Sequence, residues 1–120
     1  MDTTSSDPTH MTPLPEIDPT TLRDRLAKGD SLLLLDVREP FERGIADLPD
    51  HDQLRIPVRV FEASLDQIDA EREVVLYCRS GSRSGWAAEQ LLANGFERVW
   101  NLRGGVLAWR EDVDPTLTAY

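Results

Sequence analysis

The run Ser31-Leu32-Leu33-Leu34-Leu35-Asp36-Val37 is apolar at every position from Leu32 to Leu35. A strand with one wet face alternates apolar and polar residues, and a lone helix needs a longer segment. A short continuous run therefore predicts a strand buried on both faces, the kind found in parallel sheets. Val74-Val75-Leu76-Tyr77 repeats the pattern. Helical signals lie between and around these runs. Asp18-Pro19 reads as an N-cap with proline at the first helical position, and Leu22, Arg25 and Leu26 carry that helix on to a stop at Gly29. A second helix is predicted from Gly85 to Asn94, stopping at Gly95, and a last one from Val106 to Glu111 after Gly104-Gly105. Arg55-Ile56-Pro57-Val58 and Arg98-Val99-Trp100-Asn101-Leu102 read as further strands, Glu39 to Arg43 as a short helical turn, Glu62 to Asp69 as a weak helix, and Asp47 to Gln53 as an exposed polar loop. Strands alternating with helices predict an α/β fold, a three-layer sandwich around a central parallel sheet of about five strands.

The chain has 120 residues, enough for one domain with one modest core. Met1 to Pro15, rich in Thr, Ser, Asp and Pro, reads as a disordered arm (residues 1–15) ahead of a domain at 16–120. That segment lacks a basic stretch followed by an apolar one, and no apolar run reaches the length of a membrane span. The net charge is -9, and the arginines are scattered or gathered near Cys78. Nucleic acid and anionic membranes are thus disfavoured as partners. His10 and His51 lack partners at metal-binding spacing, so no metal is expected. A monomer is the default expectation. Cys78 is the single cysteine, which excludes an internal disulfide and an intramolecular resolving thiol, and points to a reducing, cytoplasmic compartment.

Cys78 follows the second apolar run and opens the segment Cys78-Arg79-Ser80-Gly81-Ser82-Arg83-Ser84. Sites in open parallel sheets form at the carboxyl ends of strands, where both Cys78 and Asp36-Val37-Arg38 fall. The N-terminal dipole and free N–H groups of the next helix point back at the sulfur. Arg79 and Arg83 add positive charge, and Gly81 with the serines lets consecutive N–H groups turn inward as an anion nest. Each of these favours the thiolate over the thiol. A core cysteine acting as a small hydrophobe is the competing reading, and the sequence Arg-Ser-Gly-Ser-Arg-Ser that follows argues against it.

Several segments together resemble rhodanese-type sulfurtransferase domains: Leu35-Asp36-Val37-Arg38-Glu39-Pro40, Ile56-Pro57, Val75 to Ser84, Gly95-Phe96 and Asn101-Leu102-Arg103-Gly104-Gly105-Val106-Leu107-Ala108-Trp109, spread from about Glu16 to the C-terminus. The resemblance implies a sulfur relay: Cys78 takes sulfane sulfur from thiosulfate or a protein persulfide, holds it as a persulfide, and yields it to a thiophilic acceptor, with no organic cofactor. It implies that Cys78 is the nucleophile and that Arg79, Ser80, Gly81, Ser82, Arg83 and Ser84 cradle the persulfide. Arg38, after Asp-Val, is placed either to reach an anionic donor or to pair with Glu39 or Glu42. Asp36 is expected to support the loop by accepting backbone hydrogen bonds, and Trp86 to wall the pocket or to pack its helix.

Phosphatases and arsenate reductases that share this fold are similar but carry His-Cys, five residues, then Arg. Here Tyr77 replaces the histidine, four residues separate Cys78 from Arg83, and Ser84 takes the phosphatase arginine's position. The shorter loop favours sulfur over phosphate. A non-catalytic docking module of the same fold is a further alternative, weakened by the intact cysteine and basic loop. Gly44-Ile45-Ala46-Asp47-Leu48-Pro49-Asp50 departs from the common Gly-His-Ile-Pro-Gly-Ala. It is closer to rhodanese domains fused to ubiquitin-activating-like adenylyltransferases (the molybdopterin-synthase sulfurylase type), as is the tail Val113 to Tyr120, with Thr118 where a proline is usual. That likeness implies a sulfur-carrier protein or an adenylyltransferase as a partner.

Overall fold

The computed structural model describes residues 14–120. Five parallel strands form one sheet: β1 (Glu16–Ile17), β2 (Leu32–Asp36), β3 (Gln53–Arg55), β4 (Glu73–Tyr77) and β5 (Val99–Leu102), in spatial order β1-β5-β4-β2-β3. The helices are α1 (Pro19–Ala27), α2 (Ser82–Ala93) and α3 (Gly105–Asp112), with short 3-10 segments at Pro40–Gly44, Val58–Val60 and Glu62–Gln67. The expected three-layer α/β sandwich is the fold observed.

The leucine run explains the layering. Leu33 and Leu35 face one side with Val74 and Leu76, and pack on Ala87, Ala88 and Leu91 of α2. Leu32 and Leu34 face the other with Val75 and Tyr77, and meet Leu22 of α1 and Val106 and Trp109 of α3. All of β2 is buried, so polar alternation would have left charges in one core or the other. Helix α1 begins as its sequence indicates: the Asp18 carboxylate accepts from the Thr21 N–H at 2.8 Å, with Pro19 in the first turn.

Three boundaries differ from the sequence reading, each for a local reason. The third strand occupies Gln53–Arg55 rather than Arg55 to Val58, because Pro57 has no N–H to donate and the chain turns into Val58–Val60 just after it. Strand β1 is two residues long and pairs with the edge of β5, too short to show a pattern. Helix α2 begins at Ser82, not Gly85. Gly81 is the break, at φ +105°, so Ser82, Arg83 and Ser84 are the first turn of a helix rather than a loop.

The Asp47–Gln53 segment is only partly the solvated loop expected. Leu48 is buried with the second core, and Asp47 accepts from the Tyr77 hydroxyl at 2.7 Å. The expected arm lies outside the described residues except at its end, where Leu14 packs on the first core and the Pro15 carbonyl accepts from the Asn101 N–H at 2.9 Å. No described helix is long and apolar enough to cross a membrane.

Leu34→Ala removes a fully buried side chain from the middle of the sheet. It should lower unfolding free energy by about 2–5 kcal/mol in urea titration, with the slope unchanged.

Candidate active site

Cys78 lies one residue beyond β4, at the carboxyl end of the sheet, and is 1% exposed. Burial alone would fit an inert core thiol. The surroundings of the sulfur do not. Sγ accepts from the Gly81 N–H at 3.0 Å and the Ser84 N–H at 3.4 Å, and the Ser84 hydroxyl oxygen lies 3.3 Å away. Two backbone donors converging on one sulfur form a cup that suits an anion. The first turn of α2 supplies the Ser84 N–H, which is why the early start of that helix matters to the site. Ser84 stands where the similar phosphatases carry arginine, and here its short side chain leaves the sulfur to the backbone N–H groups.

A second helix fixes the cup from behind. The N–H groups of Val106 and Leu107, in the first turn of α3, donate to the carbonyls of Cys78 and Arg79 at 2.9 and 3.0 Å. This contact requires Gly105. A Cβ there would lie 2.5 Å from both carbonyl oxygens, and its φ is +62°. With these carbonyls turned toward α3, the amides that follow are free to face the sulfur. Asn101, at the end of β5 and buried, adds a brace: its Oδ1 accepts from the Ser84 hydroxyl at 2.6 Å and its Nδ2 donates to the Gly81 carbonyl at 3.1 Å. The sequence reading missed Asn101 as a site residue. The signal was a lone amide inside an otherwise apolar strand.

The arginines are not arranged as the sequence suggested. Arg38 pairs with Asp36 and Asp47 rather than with Glu39 or Glu42. Its side chain is 0% exposed and held by Asp36 at 2.9 Å, Asp47 at 2.9 Å, the Ala46 carbonyl and the Tyr120 hydroxyl. Burial opposes its charge most strongly, but the hydrogen bonds and charge attraction of Asp36 together with Tyr120 leave the guanidinium above its ordinary range. Arg55 joins this cluster through Asp36 and Asp47 at 2.7 and 2.8 Å. Asp36 also accepts the Arg38 backbone N–H at 3.0 Å, which shapes the turn after β2. Burial and the nearby Asp36 and Asp47 carboxylates push the Tyr77 phenol above its ordinary range.

Arg83 makes a two-pronged pair with Glu42 at 2.8 and 3.0 Å. The Tyr120 hydroxyl donates to the same carboxylate at 3.0 Å. Hydrogen bonding to Arg83 holds the Glu42 carboxyl down at about 2. Arg79 lies over the Tyr120 ring, 5.4 Å from its centre, and donates to the Tyr120 carbonyl. Ser80 and Ser82 are exposed. Trp86 is half-exposed and meets Phe61 edge to face, with ring centres 6.1 Å apart.

The sequence and the fold have counterparts among known proteins. Residues 18–112 match the model of the rhodanese-like domain. A sulfurtransferase of Allochromatium vinosum is 43% identical over 94 residues, covering 78% of this chain and 86% of the relative. A probable adenylyltransferase/sulfurtransferase of Mycobacterium tuberculosis, MoeZ, is 37% identical over 106 residues, 87% of this chain but only 26% of that protein. Among solved structures, the human single-domain sulfurtransferase TSTD1 superposes with a TM-score of 0.72 at 26% identity, covering 83% of this chain and 98% of that one. The chain belongs to the rhodanese-like domain family. Within that family it is a sulfurtransferase.

Two outcomes follow. Asn101→Ala leaves the Gly81 carbonyl and the Ser84 hydroxyl without their buried partner, and should cost about 1–3 kcal/mol in chemical denaturation. The Glu42 pair should stabilise the fold fully above the range where an unfolded glutamate titrates, near ~4.3, and this contribution should disappear as pH falls through about 2. The difference in unfolding free energy between wild type and Glu42→Gln should therefore be constant above about pH 5 and shrink steadily below it.

Proposed function

We propose that this sulfurtransferase carries sulfane sulfur as a persulfide on Cys78, taken from thiosulfate or a protein persulfide and given to a thiophilic acceptor. The observation that carries the reading is the convergence of the Gly81 and Ser84 N–H groups on a buried sulfur. A buried sulfur anion costs free energy unless donors compensate it. In the loading step the Cys78 thiolate attacks the outer sulfur of the donor. A bond forms between the two sulfurs, the donor's own bond to that sulfur breaks, and the electron pair leaves with sulfite or a thiolate. In the unloading step an external nucleophile attacks the terminal sulfur and Cys78 leaves as the thiolate. Cys78 is the chain's single cysteine, so the acceptor is a separate molecule.

The partial match to the adenylyltransferase/sulfurtransferase of Mycobacterium tuberculosis supports a sulfur-carrier protein or an adenylyltransferase as that acceptor's system. A lone redox cysteine also suits a reducing, cytoplasmic setting.

Incubation with thiosulfate should add one sulfur atom to the intact mass. Cyanide should remove it, and Cys78→Ser should take up none. If neither thiosulfate nor a cysteine desulfurase adds sulfur to Cys78, the reading fails.

A further inference from the structure

Both loop arginines are already occupied by other parts of the chain. Arg83 is neutralised by the ionised Glu42, which is itself buried and held by the Tyr120 hydroxyl. Arg79 is stacked on the Tyr120 ring and bound to the Tyr120 carbonyl. Arg38, the third cation at this end of the sheet, is buried between Asp36 and Asp47. Tyr120 therefore touches Arg38, Arg79 and the partner of Arg83. The segment that delivers it is anchored: Leu117 and Tyr120 pack on the second core, and Arg110 Nε donates to the Leu117 carbonyl at 2.7 Å. The chain as a whole carries a net charge of -9.

A doubly charged inorganic donor needs unpaired positive charge where it meets the thiolate, because two anions otherwise repel at contact distance. A persulfide donor needs less. It places one sulfur against Cys78 and leaves as a thiolate, with no sulfonate to neutralise. Resting on the sulfur-transfer reading above, we infer that Glu42 and Tyr120 are specificity-determining residues that hold Arg83 and Arg79 in internal contacts and so tune the site to organic persulfides over thiosulfate. The favoured loading step joins the Cys78 thiolate to the terminal sulfur of R–S–SH, breaks the donor's S–S bond, and yields the Cys78 persulfide with R–S⁻, conserving charge, protons and electrons. Glu42→Gln frees Arg83 from its countercharge, and Tyr120→Leu removes the ring beneath Arg79.

Loading of Cys78 is followed by rapid-mixing mass spectrometry with two donors, thiosulfate and a small alkyl persulfide that carries no other ionisable group. Wild type should load faster from the persulfide. In Glu42→Gln and in Tyr120→Leu the ratio of kcat/KM for thiosulfate to that for the persulfide should rise roughly ten-fold, through a lower KM for thiosulfate. Tyr120→Phe keeps the ring under Arg79 and should shift the ratio less than Tyr120→Leu. General loosening of the site would depress both donors together and leave the ratio unmoved. An unchanged ratio in both Glu42→Gln and Tyr120→Leu, equal shifts in Tyr120→Phe and Tyr120→Leu, or faster loading of wild type by thiosulfate overturns the inference while leaving sulfur transfer intact. Loading from neither donor overturns sulfur transfer itself.

Discussion

Two hydrogen bonds set the orientation of everything at the catalytic end of this molecule: Val106 N–H to the Cys78 carbonyl and Leu107 N–H to the Arg79 carbonyl. A loop between a strand and a helix has carbonyls and amides to distribute, and only one set can face the sulfur. The N-terminus of α3 takes the carbonyls. The amides and the first turn of α2 are left for Sγ. Gly105 makes this approach sterically possible, Gly81 turns the chain into α2, and Asn101 ties the Gly81 carbonyl to the Ser84 hydroxyl. Two helix N-termini thus work on one loop, one from behind and one from the front.

Around the cup lies a layer of compensated charge. Asp36 and Asp47 balance Arg38 and Arg55, and Glu42 balances Arg83. Little of this resembles a row of cations waiting for an anion. Buried pairs of this kind contribute little net stability when intact, but removing one partner strands the other and costs several kcal/mol, on the order of 3–5. Their value is positional: they fix the turn after β2, the 3-10 segment at Pro40–Gly44 and the Tyr120 side chain relative to α2.

The parts of the fold legible in the sequence were those with short-range signals. The Leu32 to Leu35 run announced a two-sided core, Asp18-Pro19 announced α1, and the strand–cysteine–glycine–helix order announced an anion cup. What the sequence hid depended on distant partners. Nothing local to Arg38 says that Asp47 and Tyr120, separated from it by 9 and 82 positions, will enclose it. Arg79 and Arg83 look like free cations beside a thiol until Tyr120 and Glu42 are brought to them. Glycine and serine at Gly81 to Gly85 read as breakers along the whole stretch, although the backbone breaks at Gly81 alone and is helical from Ser82. Asn101 read only as part of a strand, because its partners, Gly81 and Ser84, belong to another element.

The central claim is that the loop donors hold the sulfur that Cys78 carries. The most direct measurement is a pair of amide-resolved NMR spectra, recorded before and after Cys78 is loaded with one sulfur atom. The account predicts that the Gly81 and Ser84 amide protons move downfield on loading, with neighbouring loop amides following, while Val106 and Leu107 stay bound to their carbonyls and unmoved. Loading of Cys78 that leaves the Gly81 and Ser84 amides where they were would contradict it.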